Sequence, residues 1–209
     1  MTEGLPDDEL ALPAGVPPDV DAKLAAALER VGQALRVQMW DTAKEHGVSP
    51  TQLQVLLRLA TDPPERRRIG VLAGELDVTH PTVSDAVAVL RRKGLVDRDP
   101  ASRKATLSLS PRGRALADRV ADWDQRTREQ LAHLPAGDKQ ATLRLLLDLI
   151  AGLQRSGAIT VARMCVTCRF FRRDAHPLSA RPHHCALVDA PMAGGELRID
   201  CAEHEPRAA

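Results

Sequence analysis

"IGVLAGELDVTHPTVSDAVAVLRRKGLV", residues 69–96, decides the fold. It reads as a short helix, a tight turn at Asp77–Val78, and a second helix capped by Thr79. In the second helix Val83, Ala86, Val87 and Leu90 recur at helical spacing and form a buried stripe. That leaves His80, Pro81, Thr82 and Ser84 at the exposed N-terminal end, with Arg91, Arg92 and Lys93 closing the helix. "ATLSLS" (105–110) then alternates, with Ala105, Leu107 and Leu109 on one face and hydroxyls on the other, as a half-buried strand does. Its partner is "GLVDR" (94–98), and the polar link "DPASRK" makes the pair a hairpin. Two helices, a tight turn and a basic-tipped hairpin describe a winged helix-turn-helix. Its second helix can enter a major groove while the hairpin meets backbone or minor groove.

Working outward, "DVDAKLAAALERVGQALRVQMWDTAKEHG" (19–47) carries Val20, Leu24, Leu28, Val31, Leu35 and Met39 in steps of three or four. It predicts a long amphipathic helix with Asp19 as N-cap and Gly47 as its stop. Ser49 with Gln52 forms a capping box, Pro50 suits the first helical position, and Pro63 and Pro64 end that helix. Beyond the hairpin, Ser110 caps a helix starting at Pro111, with Leu116, Val120 and Trp123 on its stripe. Pro135 and Gly137 break the chain. A last helix runs through Leu143, Leu146, Leu147, Ile150 and Leu153. The expected fold class is mainly α with a small β-wing: a winged helix-turn-helix, dimerisation helices and a small C-terminal metal-binding module.

The composition agrees. A 209-residue chain suits one ordinary domain plus something small. Only 2% of residues are aromatic and none is Tyr, so the main core must be Leu, Val and Ala, which favours helices. The formal charge of +1 means that nucleic-acid binding must come from a local basic surface. No apolar run is long enough to span a bilayer. The acidic, Pro-rich start "MTEGLPDDELALPAGVPPDV" lacks the features of a signal peptide and reads as a disordered tail. A cytoplasmic protein with no membrane partner is expected. The boundaries are a tail at 1–18, the winged-helix and dimerisation domain at 19–156, and a Cys-rich module at 157–209.

The stretches "LAGELDVTHPTVSDAVAVLRRKGLVDR" and "LSLSPRGRAL" resemble the MarR family of bacterial transcriptional regulators, over roughly residues 20–155. The resemblance implies a homodimer whose first and last helices, here 19–46 and 111–155, interlock and set two recognition helices on a palindromic double-stranded operator. It implies a repressor that releases DNA when a small effector binds between the dimer and DNA-binding lobes. Long Leu and Val stripes at both ends exceed what one small winged helix buries alone. The DNA-binding residues expected are His80, Pro81, Thr82, Ser84, Arg91, Arg92 and Lys93, with Arg98, Arg103 and Lys104 in the wing. Small hydroxyls meet base edges or phosphates, and cations supply the salt-dependent backbone contacts. Two departures stand out: the family's wing carries an Asp two positions before its Arg, where this chain has Ala101 before Arg103. Asp85 sits where a basic or neutral residue would suit phosphate, and is expected to face a neighbouring Arg.

All four cysteines and both phenylalanines lie in residues 164–206. The spacing is Cys165-x2-Cys168, then sixteen residues to Cys185 and fifteen to Cys201. "ALVDAPMAGGELRID" reads as strand, turn, strand centred on Ala193, which would set Cys185 and Cys201 side by side facing the knuckle. Four convergent thiolates repel unless a cation neutralises them, so a metal centre on Cys165, Cys168, Cys185 and Cys201 is expected. A four-cysteine zinc site and a [4Fe–4S] cluster carry the same net charge. The spacing is similar to that of high-potential iron–sulfur proteins, and Phe170 and Phe171 would shield a cluster, which puts [4Fe–4S] ahead of zinc and of a metal-free thiol switch. Arg169, Arg172, Arg173, Arg181 and Arg198 would compensate the charge. His183, His184 and His204 read as supporting donors or loop residues rather than ligands. A thiol-disulfide enzyme is disfavoured, because the C-x-x-C does not open a helix in a β-α-β pattern. No nucleophile–base constellation appears elsewhere, so a non-enzymatic redox- or oxygen-sensing regulator is expected, with a zinc-stapled, effector-controlled regulator as the alternative.

Overall fold

The computed structural model describes residues 19–98 and 106–207. The tail at 1–18 and the hairpin link containing Ala101, Arg103, Lys104 and Ala105 lie outside the described residues.

The capping residues act where the chain places them. Asp19 accepts from the backbone N–H groups of Asp21 and Ala22 at 3.1 and 3.2 Å and opens α1 (Val20–Glu45). Gly47, at φ 64°, turns the chain after it. The Ser49–Gln52 capping box opens α2 (Pro50–Thr61), which stops before Pro63. Next come α3 (Ile69–Glu75) and α4 (His80–Arg92), joined through Asp77 at φ 49°, a left-handed conformation that Asp tolerates. β1 (Val96–Arg98) and β2 (Leu107–Leu109) pair antiparallel with Val96 opposite Leu109. The Ser110 hydroxyl donates to the Gly94 carbonyl at 2.7 Å and accepts from the Gly113 N–H at 3.0 Å. It thereby ties the hairpin base to the start of α5 (Pro111–Arg119).

Where one helix was expected after Ser110, there are two: α5, then α6 (Gln125–Ala132). Between them Asp122 and Asp124 hold Arg128 at 2.7 Å each, side chains that favour turns over helix interiors. Val120 is buried all the same and Trp123 packs on the core. Pro135 does break the chain, but Gly137 lies inside the first turn of α7 (Ala136–Arg155). The core of the winged lobe is Leu53, Val55, Leu56, Leu59, Leu72, Val83, Val87, Leu90, Val96, Leu107, Leu116 and Val120, drawn from α2 to α5 and the hairpin.

The C-terminal segment builds a second small core against α7. Leu147 and Ala151 bury themselves with Ala162, Met164, Cys165, Cys168, Phe171 and Leu197. A three-stranded antiparallel sheet, β3 (Phe171–Arg172), β4 (His183–Cys185) and β5 (Ala190–Met192), carries the segment. The expected hairpin centred on Ala193 is not formed. The turn lies at 186–189, closed by Asp189 at φ 49°, and Cys185 pairs with Ala190 rather than facing Cys201. Pro191 sits in β5, at the sheet edge, where its missing N–H costs no ladder bond. Residues Gly194–Glu196 form a short 3-10 turn, with the Ala193 N–H donating to the Glu196 carboxylate at 2.6 Å.

Candidate functional site

The helix-turn-helix presents the residues its stripe leaves over. Val83, Ala86, Val87 and Leu90 are buried, while His80, Pro81, Thr82, Arg91, Arg92 and Arg98 are exposed and Ser84 is half-buried. Thr79 accepts from the Thr82 N–H at 3.3 Å, and the Thr79 and Thr82 hydroxyls lie 2.8 Å apart, so the first turn of α4 is fixed before any ligand arrives. Lys93 is exposed as well and also makes a contact within the fold. Its ammonium donates to the Gly47 carbonyl and ties the end of α4 to the α1–α2 corner. The expected Asp85–Arg pair is absent among the described residues, and Asp85 is exposed. The wing root is held from the other side by the Leu107 N–H, which donates to the Arg67 carbonyl at 2.8 Å.

The four thiols are free, and Cys201, Cys185 and Cys168 lie near enough for their charges to act on Cys165. Cys165 to Thr167 form a 3-10 turn, and the Cys168 N–H returns to the Cys165 carbonyl at 3.0 Å. That knuckle opens no α-helix, so the C-x-x-C lacks the helix N-terminus that activates a redox dithiol. Cys201 arrives by a different route from the one its spacing suggested. Its N–H donates to the Arg163 carbonyl at 2.9 Å and the Cys165 N–H donates to the Arg198 carbonyl at 3.1 Å, so 163–165 and 198–201 run side by side. Cys185 sits on β4 opposite Phe171.

The Arg198 N–H points at the Cys165 sulfur at 3.2 Å, and the Arg198 guanidinium lies 3.7 Å from the Cys201 sulfur. Burial pushes the Cys165 thiol up. The Arg198 N–H opposes this, and the charges of Cys201, Cys185 and Cys168 push it further up. Among the described residues no three His, Cys, Asp or Glu side chains stand together as a formed cation cage.

The surrounding charges are committed differently from expectation. Arg169 pairs with Glu205, Arg173 with Asp148 of α7 and Arg181 with Glu196, at 2.7, 2.5 and 2.9 Å. Arg172 donates to the Arg169 carbonyl, which leaves Arg198 as the arginine in contact with thiols. Phe171 is buried in the small core, while Phe170 lies half-covered beneath Arg169. Each His has another partner: His183 faces Asp174, His184 faces His176 and Asp189, and His204 faces the Thr167 hydroxyl at 2.9 Å. Burial lowers the His204 pKa, which favours the neutral ring.

A set of residues unmarked by any sequence motif joins the module to the helix-turn-helix. Asp200 receives Arg58 of α2 at 2.6 Å and Arg66 at 2.8 Å, and Arg163 pairs with Glu75 of α3. Asp62 lies beneath them with its side chain 2% exposed, its Oδ2 without a partner, and its carboxyl raised above the ordinary range chiefly by burial. Thr160 donates its N–H to the Asp77 carboxylate in the turn at 3.0 Å. Arg58 and Asp62 are four apart at the end of α2, a spacing that sequence can show, whereas Pro63 and Pro64 hide the Asp62–Arg66 pair and nothing local points to Asp200 or Arg163.

Residues 46–105 match the model of the MarR family. Among solved structures, a MarR family protein from Bacillus stearothermophilus is similar at a TM-score of 0.57 and 18% identity, covering 67% of this chain and 99% of that one. MepR of S. aureus, in a complex with DNA, gives 0.55 and 16%, covering 62% and 97%. A MarR family protein of Mycobacterium tuberculosis gives 28% identity at a TM-score of 0.47, covering 62% and 95%. No curated protein matches the chain. No helix among the described residues is long and apolar enough to cross a membrane. The segment from 46 to 105 is therefore similar to the MarR family, and the match ends well before the first cysteine.

Proposed function

We propose that the chain is a homodimeric, sequence-specific DNA-binding transcriptional regulator of repressor type, and that its four cysteines hold one metal centre that senses redox state or oxygen. The observation that carries the DNA-binding part is the rigid first turn of α4. It presents His80, Pro81 and Thr82 to solvent on a lobe whose fold is that of MepR, a protein solved on DNA. Arg91 and Arg92 at the far end of α4 and Arg98 on β1 add exposed positive charge, and Arg103 and Lys104 are further cations that the sequence offers between the strands. Exposed Val20, Leu24, Leu28 and Val31 on α1 and Leu145, Leu149 and Leu153 on α7 are the surfaces for a second copy.

The donor set supports a centre at Cys165, Cys168, Cys185 and Cys201. A buried thiol, raised by burial and by three neighbouring thiols, becomes a thiolate only with a cation to pair with. The Arg198 N–H aimed at the Cys165 sulfur suits a ligating thiolate. When bound, the centre supplies charge neutralisation and, as [4Fe–4S], a one-electron couple. A second reading keeps the regulator and makes the centre a structural zinc. It is favoured by strands of two or three residues and a core containing two of the cysteines, too little to fold without a staple. Effector control would then use the cavity of about 590 Å³ lined by Gln38, Asp41, Glu45, Arg119 and Trp123.

Two measurements test this. Binding to a duplex from upstream of the chain's own coding region should exceed binding to shuffled duplex by on the order of 10³ or more, and should fall steeply with salt. Equal binding to both would remove the DNA-binding conclusion. Iron, sulfide and zinc measured on protein purified without oxygen should give a brown, iron-bearing sample. One zinc per chain and no colour would give the staple its place.

A further inference from the structure

The thiol module touches the helix-turn-helix directly, and it does so beside two cysteines. Asp200, the neighbour of Cys201, bridges Arg58 and Arg66, with one carboxylate oxygen to each guanidinium at 2.6 and 2.8 Å. The other carboxylates near those guanidiniums, Asp62 and Glu75, stand at 3.7 to 3.9 Å. Among the described residues Asp200 is therefore the one carboxylate within hydrogen-bond distance of either. Arg163, two residues before Cys165, returns the grip through Glu75, whose side chain is 3% exposed. Thr160 holds Asp77, the left-handed residue two positions before the Thr79 cap of the recognition helix.

We propose that Asp200 and Arg163 are positioning residues for DNA recognition: they grip α2 and α3 from the thiol site, so that the state of the cysteines sets the stance of α4. This rests on the proposed function above. The mechanical path is short. Residues 163–165 and 198–201 are tied by the Cys165 N–H to Arg198 carbonyl and Cys201 N–H to Arg163 carbonyl bonds. Consecutive Cα atoms are about 3.8 Å apart, so Cys201 cannot shift by ångströms without carrying Asp200 with it.

Charge makes the grip two-sided. Within the winged lobe, Arg58 and Arg66 face Asp62 and Glu75 at 3.7 to 3.9 Å, too long for hydrogen bonds. With it, three carboxylates meet three guanidiniums (Asp62, Glu75 and Asp200 against Arg58, Arg66 and Arg163). Losing the module's pair leaves Glu75 and Asp62 under cations that must move to reach them, and both lie on the elements that orient α4. The Arg66 Nε, buried without a partner, shows that the present arrangement satisfies Asp200 at some local cost. A second pairing, with Arg58 and Arg66 moved onto Asp62 and Glu75, is what the proposal requires when Asp200 lets go.

The test uses the full chain and two charge-removing variants, the isosteric Asp200→Asn and the shorter Arg163→Gln. Hydrogen exchange of the free protein is read at the amides of Leu76 to Ser84, with α5 as internal control. Each variant should speed exchange there by about tenfold while leaving α5 unchanged. In parallel, operator affinity is measured for metal-loaded and apo protein at fixed salt. Wild type should differ between the two forms by about 5- to 150-fold, and Asp200→Asn should bring that ratio within twofold at unchanged metal content. Unaltered exchange in both variants together with an unaltered ratio would overturn the proposal. The exchange arm requires neither DNA nor metal, so a wild type lacking operator preference or metal would count against the proposed function and leave the grip to be judged by exchange alone. If Asp200→Asn does not fold, Arg163→Gln at the other end of the cluster carries the same comparison.

Discussion

Gly113 occupies a helical position where alanine would ordinarily be better by up to about 1 kcal/mol. Here a Cβ would lie 1.9 Å from the Leu95 carbonyl oxygen, backbone that is fixed by the hairpin base. Gly113→Ala should therefore destabilise, by about 1–3 kcal/mol as overpacking does, in urea or thermal unfolding. The Arg173–Asp148 pair makes a second residue-scale case. The hydrogen bond from Arg173 lowers the Asp148 carboxyl below the ordinary range. A depressed folded-state pKa stabilises above the unfolded value near 4 and is lost as pH falls through the folded one. Both side chains are more than a third exposed, so Arg173→Gln should cost under about 1 kcal/mol at pH 7, with wild type and variant converging below pH 4 in urea titrations.

Elements were legible where capping and periodicity are local. Asp19, Ser49, Thr79 and Ser110 each cap the helix their spacing announced. Thr79→Ala should cost about 1 kcal/mol and weaken operator binding, because the cap also fixes the first turn of α4. What escaped the sequence was non-local. Asp189 moved the hairpin turn four residues ahead of Ala193 by adopting a left-handed conformation that nothing in its neighbours announces. The α7 stripe was read correctly as apolar, yet Leu143, Leu147 and Ile150 face the thiol module, while Leu145, Leu149 and Leu153 remain outside. Leu147→Ala should cost about 2–5 kcal/mol and release the module from α7, seen as faster proteolysis after residue 157 with the winged lobe intact. Partners as distant as Arg58 and Asp200 leave no periodic signature at all.

At the scale of the molecule, the apolar residues of α1 that one chain leaves open call for a second copy. Leu24→Glu with Leu28→Glu should give a monomer in sedimentation, with operator binding lost while the helix-turn-helix stays folded. The thiol module packs on α7 and is joined by ion pairs to α2 and α3, which carry α4. On the proposal above, a change at the cysteines reaches α4 through α2 and α3. The most direct measurement is the affinity of one preparation for its operator, at one salt concentration, with the thiol centre loaded and then removed under anaerobic conditions. A ratio of about 5 to 150 between the two folded, dimeric forms is the predicted result. Equal affinity would contradict a sensing role and leave the cysteines as a staple.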